Sequence, residues 1–97
     1  MKKQASIRIE GATLHVTGDL DFSNVMPLYQ QSLSLFDSDV PAIQVDFAGL
    51  ASANSVALAL MINWMRLANK KAKSIQLQNI SQELLSLAKA AGLDKVL

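Results

Sequence analysis

Four short segments of the chain alternate between apolar and polar residues, which is the pattern of strands with one buried face. They are residues 6–10, 13–17, 42–47 and 74–78. Gly11 and Ala12 separate the first two segments, and two residues are the length of a tight hairpin turn. The pattern therefore predicts an opening β-hairpin followed by two further strands.

Helical spacing of apolar residues fills the intervals between the later strands. The first helix is predicted over residues 23–36, with Asp21 or Ser23 as its cap. The second begins at Asn54 or Ser55 and runs to about Lys70, and the third spans residues 81–91 with Gly92 closing it. The predicted inward-facing residues are Val25, Leu28, Tyr29, Leu33 and Phe36 in the first helix, and Leu84, Leu87, Ala88 and Ala91 in the third.

The alternation also predicts how the layers are arranged. Each strand has one apolar and one polar face, so the helices should cover mainly one side of the sheet. Right-handed crossovers place both connecting helices on that side if the strand order is 1-2-3-4. The predicted fold is an α/β sandwich with a four-stranded mixed sheet, and residues 1–97 form one domain. Loops 18–24, 49–55 and 79–81 should meet at one edge of the sheet.

Composition excludes several classes of function. The chain is 51% apolar and 18% charged, which argues against disorder. Its net charge is only +1, and its nine basic residues are spread too evenly along the sequence to indicate nucleic-acid binding. It has no cysteine, so disulfides and thiolate sites are absent. No export signal follows Lys3, and the apolar run 56–62 is far shorter than the roughly 20 residues that cross a bilayer. We therefore expect a cytoplasmic protein without direct membrane insertion.

Few residues offer catalytic chemistry. His15 is expected on the polar face of the sheet as a solvated histidine without a partner. Asp19, Asp21 and Asp46 could converge on the loop edge and hold Mg²⁺ or accept a phosphoryl group. Turn and cap roles account for Asp19 and Asp21, so the acid pocket is the less favoured interpretation. The glycines are isolated, so no phosphate-binding loop is present. We expect no catalytic residue, metal or cofactor.

The start of the second helix is unusually apolar and small-sided. Its predicted sheet-facing residues are Leu58, Met61, Met65 and Ala68. A second stripe consists of Val56, Ala59, Asn63, Arg66 and Lys70. The small upper half of this stripe would let another protein approach closely, but small residues could also serve only to seat the helix against the third strand. Both interpretations remain open from the pattern.

The chain resembles the STAS family over essentially its whole length. The similarity is carried by residues 18–23 after the second strand, by Asp46-Phe47 in the third, and by Asn54-Ser55 with Leu58 at the second helix. Residues 58–68, 84–88 and 92–97 resemble the MlaB-like branch, which accompanies the Mla phospholipid-transport ABC system. This branch is more similar to the chain than the anti-sigma-factor antagonists are.

The resemblance implies a non-catalytic cytoplasmic subunit, peripheral to the inner membrane, that binds the transporter's ATPase and supports outer-membrane lipid asymmetry. The alternative is an anti-sigma factor antagonist in which a partner kinase phosphorylates Ser55. Asn54 replaces the family's usual acidic residue and Val56 its usual small residue, which favours constitutive docking. The predicted partner-binding residues are Ser55, Asn54, Val56 and Ala59 at the centre, with Ser52 and Asn63 at the rim.

Overall fold

The computed structural model describes residues 4–92, which form a four-stranded sheet and three helices. The elements are β1 (Ser6–Glu10), β2 (Thr13–Gly18), α1 (Val25–Phe36), β3 (Ala42–Leu50), α2 (Ser55–Lys70), β4 (Ser74–Gln78) and α3 (Gln82–Ala90). β1 pairs antiparallel with β2, and the pairs β2–β3 and β3–β4 are parallel. The strand order β1-β2-β3-β4 and the mixed α/β sandwich are as predicted.

One face of the sheet carries the core. Leu14 and Val16 of β2 and Ile43, Val45 and Phe47 of β3 are buried beneath the helices. The residues between them are half-buried or exposed, so the alternation in the sequence corresponds to one buried and one solvent-facing side of the sheet.

Among the described residues, no helix is long and apolar enough to span a membrane. Residues 1–3 and 93–97, on which the expectations about export and the family's chain ending depend, lie outside the described range.

β3 is three residues longer than the sequence pattern predicted. Ala48 and Gly49 interrupt the alternation, which made residue 47 the apparent end. In the structure the register shifts between His15 and Thr17, so that Thr17 pairs with Gly49. Long-range pairing therefore extends the strand where the local pattern stops.

Gly18 is required at the end of β2. Its φ is +85°, and a Cβ there would lie 2.5 Å from the carbonyl oxygen of Gln4. Any other residue would be strained and would also collide with backbone. This close approach brings Gln4 alongside Asp19, where the two form a parallel bridge.

The buried side of α2 differs from the prediction. Met61 and Ala68 are buried as expected, whereas Leu58 and Met65 are only half-buried. Trp64 is fully buried and packs against Phe47 with ring centroids 6.3 Å apart. The largest side chain of the helix thus occupies the interior, and the buried stripe is Val56, Ala57, Leu60, Met61, Trp64 and Ala68.

The two outer helices are shorter than predicted. α1 begins at Val25, because the Asp21 carboxylate accepts hydrogen bonds from the N–H groups of Ser23 and Asn24 and holds them in a turn. α3 begins after Ser81, whose hydroxyl accepts from the Leu84 N–H. α3 buries Leu84 and Ala88, whereas Leu87 and Ala91 are exposed, contrary to prediction. A nine-residue helix buries only one narrow stripe.

Candidate partner-binding groove

A groove of about 340 Å³ lies between the loop leading into α1, the first turns of α1 and the first turns of α2. None of its lining side chains carries a formal charge. Phe22, Val25, Met26 and Tyr29 line one wall, and Ser55, Val56, Ala59, Leu60 and Asn63 line the other. The groove is therefore a neutral, mainly apolar surface.

Four of the six partner-binding residues predicted from sequence line this groove. Ser55, Ala59 and Asn63 are exposed along its α2 wall. Val56 is 7% exposed, so it contributes more to the core than to the surface. The Asn63 amide donates to the carbonyl oxygen of Ala59 at 2.9 Å, which satisfies a polar group on an otherwise apolar wall.

The other two predicted residues, Ser52 and Asn54, do not line the groove. The Ser52 hydroxyl accepts a hydrogen bond from the Leu20 N–H at 2.8 Å. Asn54 is the N-cap of α2, where its Oδ1 accepts from the Ala57 N–H at 2.9 Å, and its Nδ2 donates to the Leu20 carbonyl at 3.1 Å. Both side chains therefore connect the start of α2 to the loop after β2.

Phe22 and Met26 are the groove residues that sequence reasoning missed. Phe22 is 85% exposed and Met26 is 58% exposed, although both are large and apolar. The available signal was their position, since an aromatic residue between Asp21 and Ser23 in a turn has no obvious core to enter. Exposed aromatic side chains beside a groove are typical of protein-interaction sites.

Ser55 occupies the first position of α2, directly after the cap. Its side chain is exposed at the end of the helix where unpaired N–H groups and the dipole produce positive potential. A phosphate added to this hydroxyl would be electrostatically favourable for the helix, but it would place charge at the mouth of a neutral groove. Phosphorylation of Ser55 would therefore disfavour the docking of an apolar partner segment in the groove.

The three aspartates considered as an acid pocket do not form one. Asp46 lies within β3 beside His15, and the Asp21 carboxylate is engaged by its own turn. Within residues 4–92, no group of three His, Cys, Asp or Glu side chains is placed to hold a metal ion. The structure thus gives the Mg²⁺ alternative no site in this range.

The expectation that His15 lacks a partner is wrong. Its Nδ1 lies 3.0 Å from Asp46 Oδ2, and its Nε2 lies 3.9 Å from Glu10 Oε1. The cause is the parallel register, which places His15 of β2 directly beside Asp46 of β3. Hydrogen bonds from Asn79 and from the Ala48 N–H, and then the contact with His15, lower the pKa of Asp46 below its usual value.

Comparison with known proteins agrees with this fold. A family model described as "Mlab, STAS domain" matches residues 4–97. A crystal structure of an anti-sigma factor antagonist from Mycobacterium paratuberculosis is similar over 96% of this chain and 80% of that chain, with a TM-score of 0.73 and 18% identity. No curated protein matches at the level of sequence. At such low identity the structural likeness establishes the fold alone.

Proposed function

Because the chain belongs to the MlaB-like STAS domain family, we propose that it is a non-catalytic accessory subunit of an ABC-type phospholipid transporter. In this role it belongs to a system that maintains outer-membrane lipid asymmetry. It acts in the cytoplasm, peripheral to the inner membrane, by binding the transporter's ATPase subunit. The binding surface is the groove between α1 and α2.

The observation that carries the proposal is the neutral groove with an exposed aromatic residue at its rim. Phe22 and Met26 expose large apolar side chains to water. Their burial by a partner would remove that apolar surface from water and so contribute favourably to the free energy of binding. The absence of charged residues in the lining favours an apolar segment of the ATPase over an acidic or basic one. A helix inserting one or two apolar side chains is the expected mode of binding.

Co-purification with the cognate ATPase tests this proposal. Ser55→Glu places a carboxylate in the groove and Ala59→Arg places a long cation there, so each should weaken binding about tenfold or more. Ser86→Glu and Ala90→Arg make the same changes at exposed positions of α3 and should bind normally. Unchanged binding of both groove variants would refute the α1–α2 groove as the docking surface.

The exposed position of Ser55 at the helix start favours a second candidate, an anti-sigma factor antagonist controlled by phosphorylation. The structural neighbour described as such an antagonist shares the fold. Incubation with a cognate anti-sigma kinase and ATP, followed by intact-mass measurement, separates the two candidates. A transporter subunit should remain unmodified, whereas an antagonist should gain one phosphate that Ser55→Ala prevents.

A further inference from the structure

The side chain of Asn54 has two separate tasks at the start of α2. Its Oδ1 accepts from the Ala57 N–H at 2.9 Å, which caps the helix. Its Nδ2 donates to the Leu20 carbonyl at 3.1 Å, thirty-four positions away in sequence. The amide can do both because its oxygen accepts and its nitrogen donates, whereas a carboxylate could cap the helix but could not donate to a carbonyl.

Both backbone polar groups of Leu20 are hydrogen-bonded to the segment before α2. Besides the Asn54 contact at its carbonyl, its N–H donates to the Ser52 hydroxyl at 2.8 Å. The Leu20 side chain is 1% exposed, so the core also holds it in place. The loop therefore has a rigid attachment to α2 immediately before Phe22.

The loop is also tied down after Phe22. Asn24 accepts from the Asp21 N–H at 3.0 Å and donates to the Asp19 carbonyl at 2.9 Å. These bonds close the turn around Phe22, whose ring remains 85% exposed. An exposed aromatic residue is thus carried by a backbone that is ordered at both ends.

We propose that Asn54 is a positioning residue for partner binding. Its amide does not line the groove, yet it holds the loop that carries Phe22 against the helix that carries Ser55 and Ala59. The groove is consequently formed before the partner arrives, which reduces the loop ordering that binding would otherwise require. The choice of partner rests on the proposed function, whereas the attachment of the loop does not.

The first test uses the free protein. Asn54→Asp keeps an effective cap but loses the donor to Leu20. Amide hydrogen exchange at Ser23 and Asn24 should become about three- to tenfold faster, the equivalent of one net hydrogen bond. Exchange in the first turn of α2 should change little. Unaltered exchange throughout residues 19–24 would overturn the inference, whatever the partner is.

The second test measures affinity for the ATPase. Asn54→Asp should weaken binding about three- to tenfold. Ser81→Asp, which likewise places a carboxylate at a helix cap but on α3, should not. In a Phe22→Ala background, Asn54→Asp should have almost no further effect, because the side chain it positions is gone. A full effect in that background would mean that Asn54 contacts the partner directly and would contradict positioning.

The two tests keep the inference separate from the proposed function. If Ser55→Glu and Ala59→Arg abolish ATPase binding while Asn54→Asp leaves loop exchange unchanged, the docking surface stands and the positioning role fails. If Ser55→Glu and Ala59→Arg bind the ATPase normally, it is the proposed function that is refuted, independently of the hydrogen-exchange result for Asn54→Asp.

Discussion

The indole N–H of Trp64 donates a hydrogen bond to the hydroxyl of Ser32 at 2.9 Å, and neither side chain is exposed to solvent. Ser32 belongs to α1 and Trp64 to α2, so this bond joins the two helices that form the walls of the groove. The Ser32 hydroxyl donates in turn to the Tyr29 carbonyl, which leaves every polar atom of the pair satisfied. The separation of the groove walls is thus set partly by a specific polar contact.

Ser32→Ala should destabilise the protein by about 1–3 kcal/mol, because it leaves the buried Trp64 N–H without an acceptor. The effect should fall well below that value in a Trp64→Phe background, where no donor remains. Urea unfolding of the two single variants and the double variant measures the coupling. Ser34→Ala, at an exposed position of the same helix, should stay within about 0.5 kcal/mol of wild type. Equal costs at Ser32 and Ser34 would mean that the buried bond contributes nothing.

The sequence predicted the fold well where local pattern and tertiary structure agree. Alternation located all four strands, and the hairpin followed from the two residues Gly11 and Ala12. The end of β3 could not be found in this way, because its last residues pair with β2 across a register shift. The His15–Asp46 contact was hidden for the same reason, since the register between strands distant in sequence is set by the complete sheet.

The lining of the candidate groove was predictable from the sequence only along α2. Ser55, Ala59 and Asn63 follow one another at intervals of four, so helical geometry alone places them on one wall. Phe22 reaches the same groove from a loop, and its position depends on hydrogen bonds to Ser52 and Asn54 through Leu20. A pattern of apolar spacing contains no information about such contacts.

Gly18→Ala should cost much more than Gly11→Ala, although both glycines have positive φ. A Cβ at Gly11 meets no atom within 4 Å, so only the backbone penalty of about 1 kcal/mol applies. A Cβ at Gly18 lies 2.5 Å from the Gln4 carbonyl oxygen, which should raise the loss to about 3 kcal/mol or more. Urea unfolding measures both variants. Similar losses would show that residues 4 and 5 can move away from β2 without penalty.

The lowered pKa of Asp46 predicts a loss of stability in acid. The unfolded chain has the ordinary aspartate pKa of about 3.9. Well above that pH, the stabilisation that the ionised Asp46 gives the folded state is fully present. Between that value and the lower folded pKa the unfolded state binds more protons, and the free energy of unfolding falls as the pH falls. Asp46→Asn should flatten this dependence in urea unfolding measured from about pH 5 to pH 2.

Asn79→Gly provides a second test of this pH dependence, since the Asn79 hydrogen bond is the largest cause of the lowered pKa of Asp46. Glycine suits the φ of +59° at this position, so the substitution removes the amide without straining the backbone. The slope should then lie between those of wild type and Asp46→Asn. An Asp46→Asn variant with the wild-type slope would place the acid sensitivity on other carboxylates.

Phe22→Ala should separate binding from folding more cleanly than any other substitution in the groove. Because the ring is 85% exposed, its loss should change the free energy of unfolding by no more than about 0.5 kcal/mol. Affinity for the ATPase should nevertheless fall about tenfold or more, as expected of an aromatic anchor buried only in the complex. Calorimetric titration and urea unfolding of the same preparation provide both values.

Leu87→Ala, at an apolar residue 37% exposed on α3, is the matched control and should retain full affinity. If Phe22→Ala binds as wild type does, the exposure of the ring is incidental and the α2 wall alone must carry the interaction. If it unfolds more easily instead, the ring packs against the domain in solution and cannot serve as a free anchor.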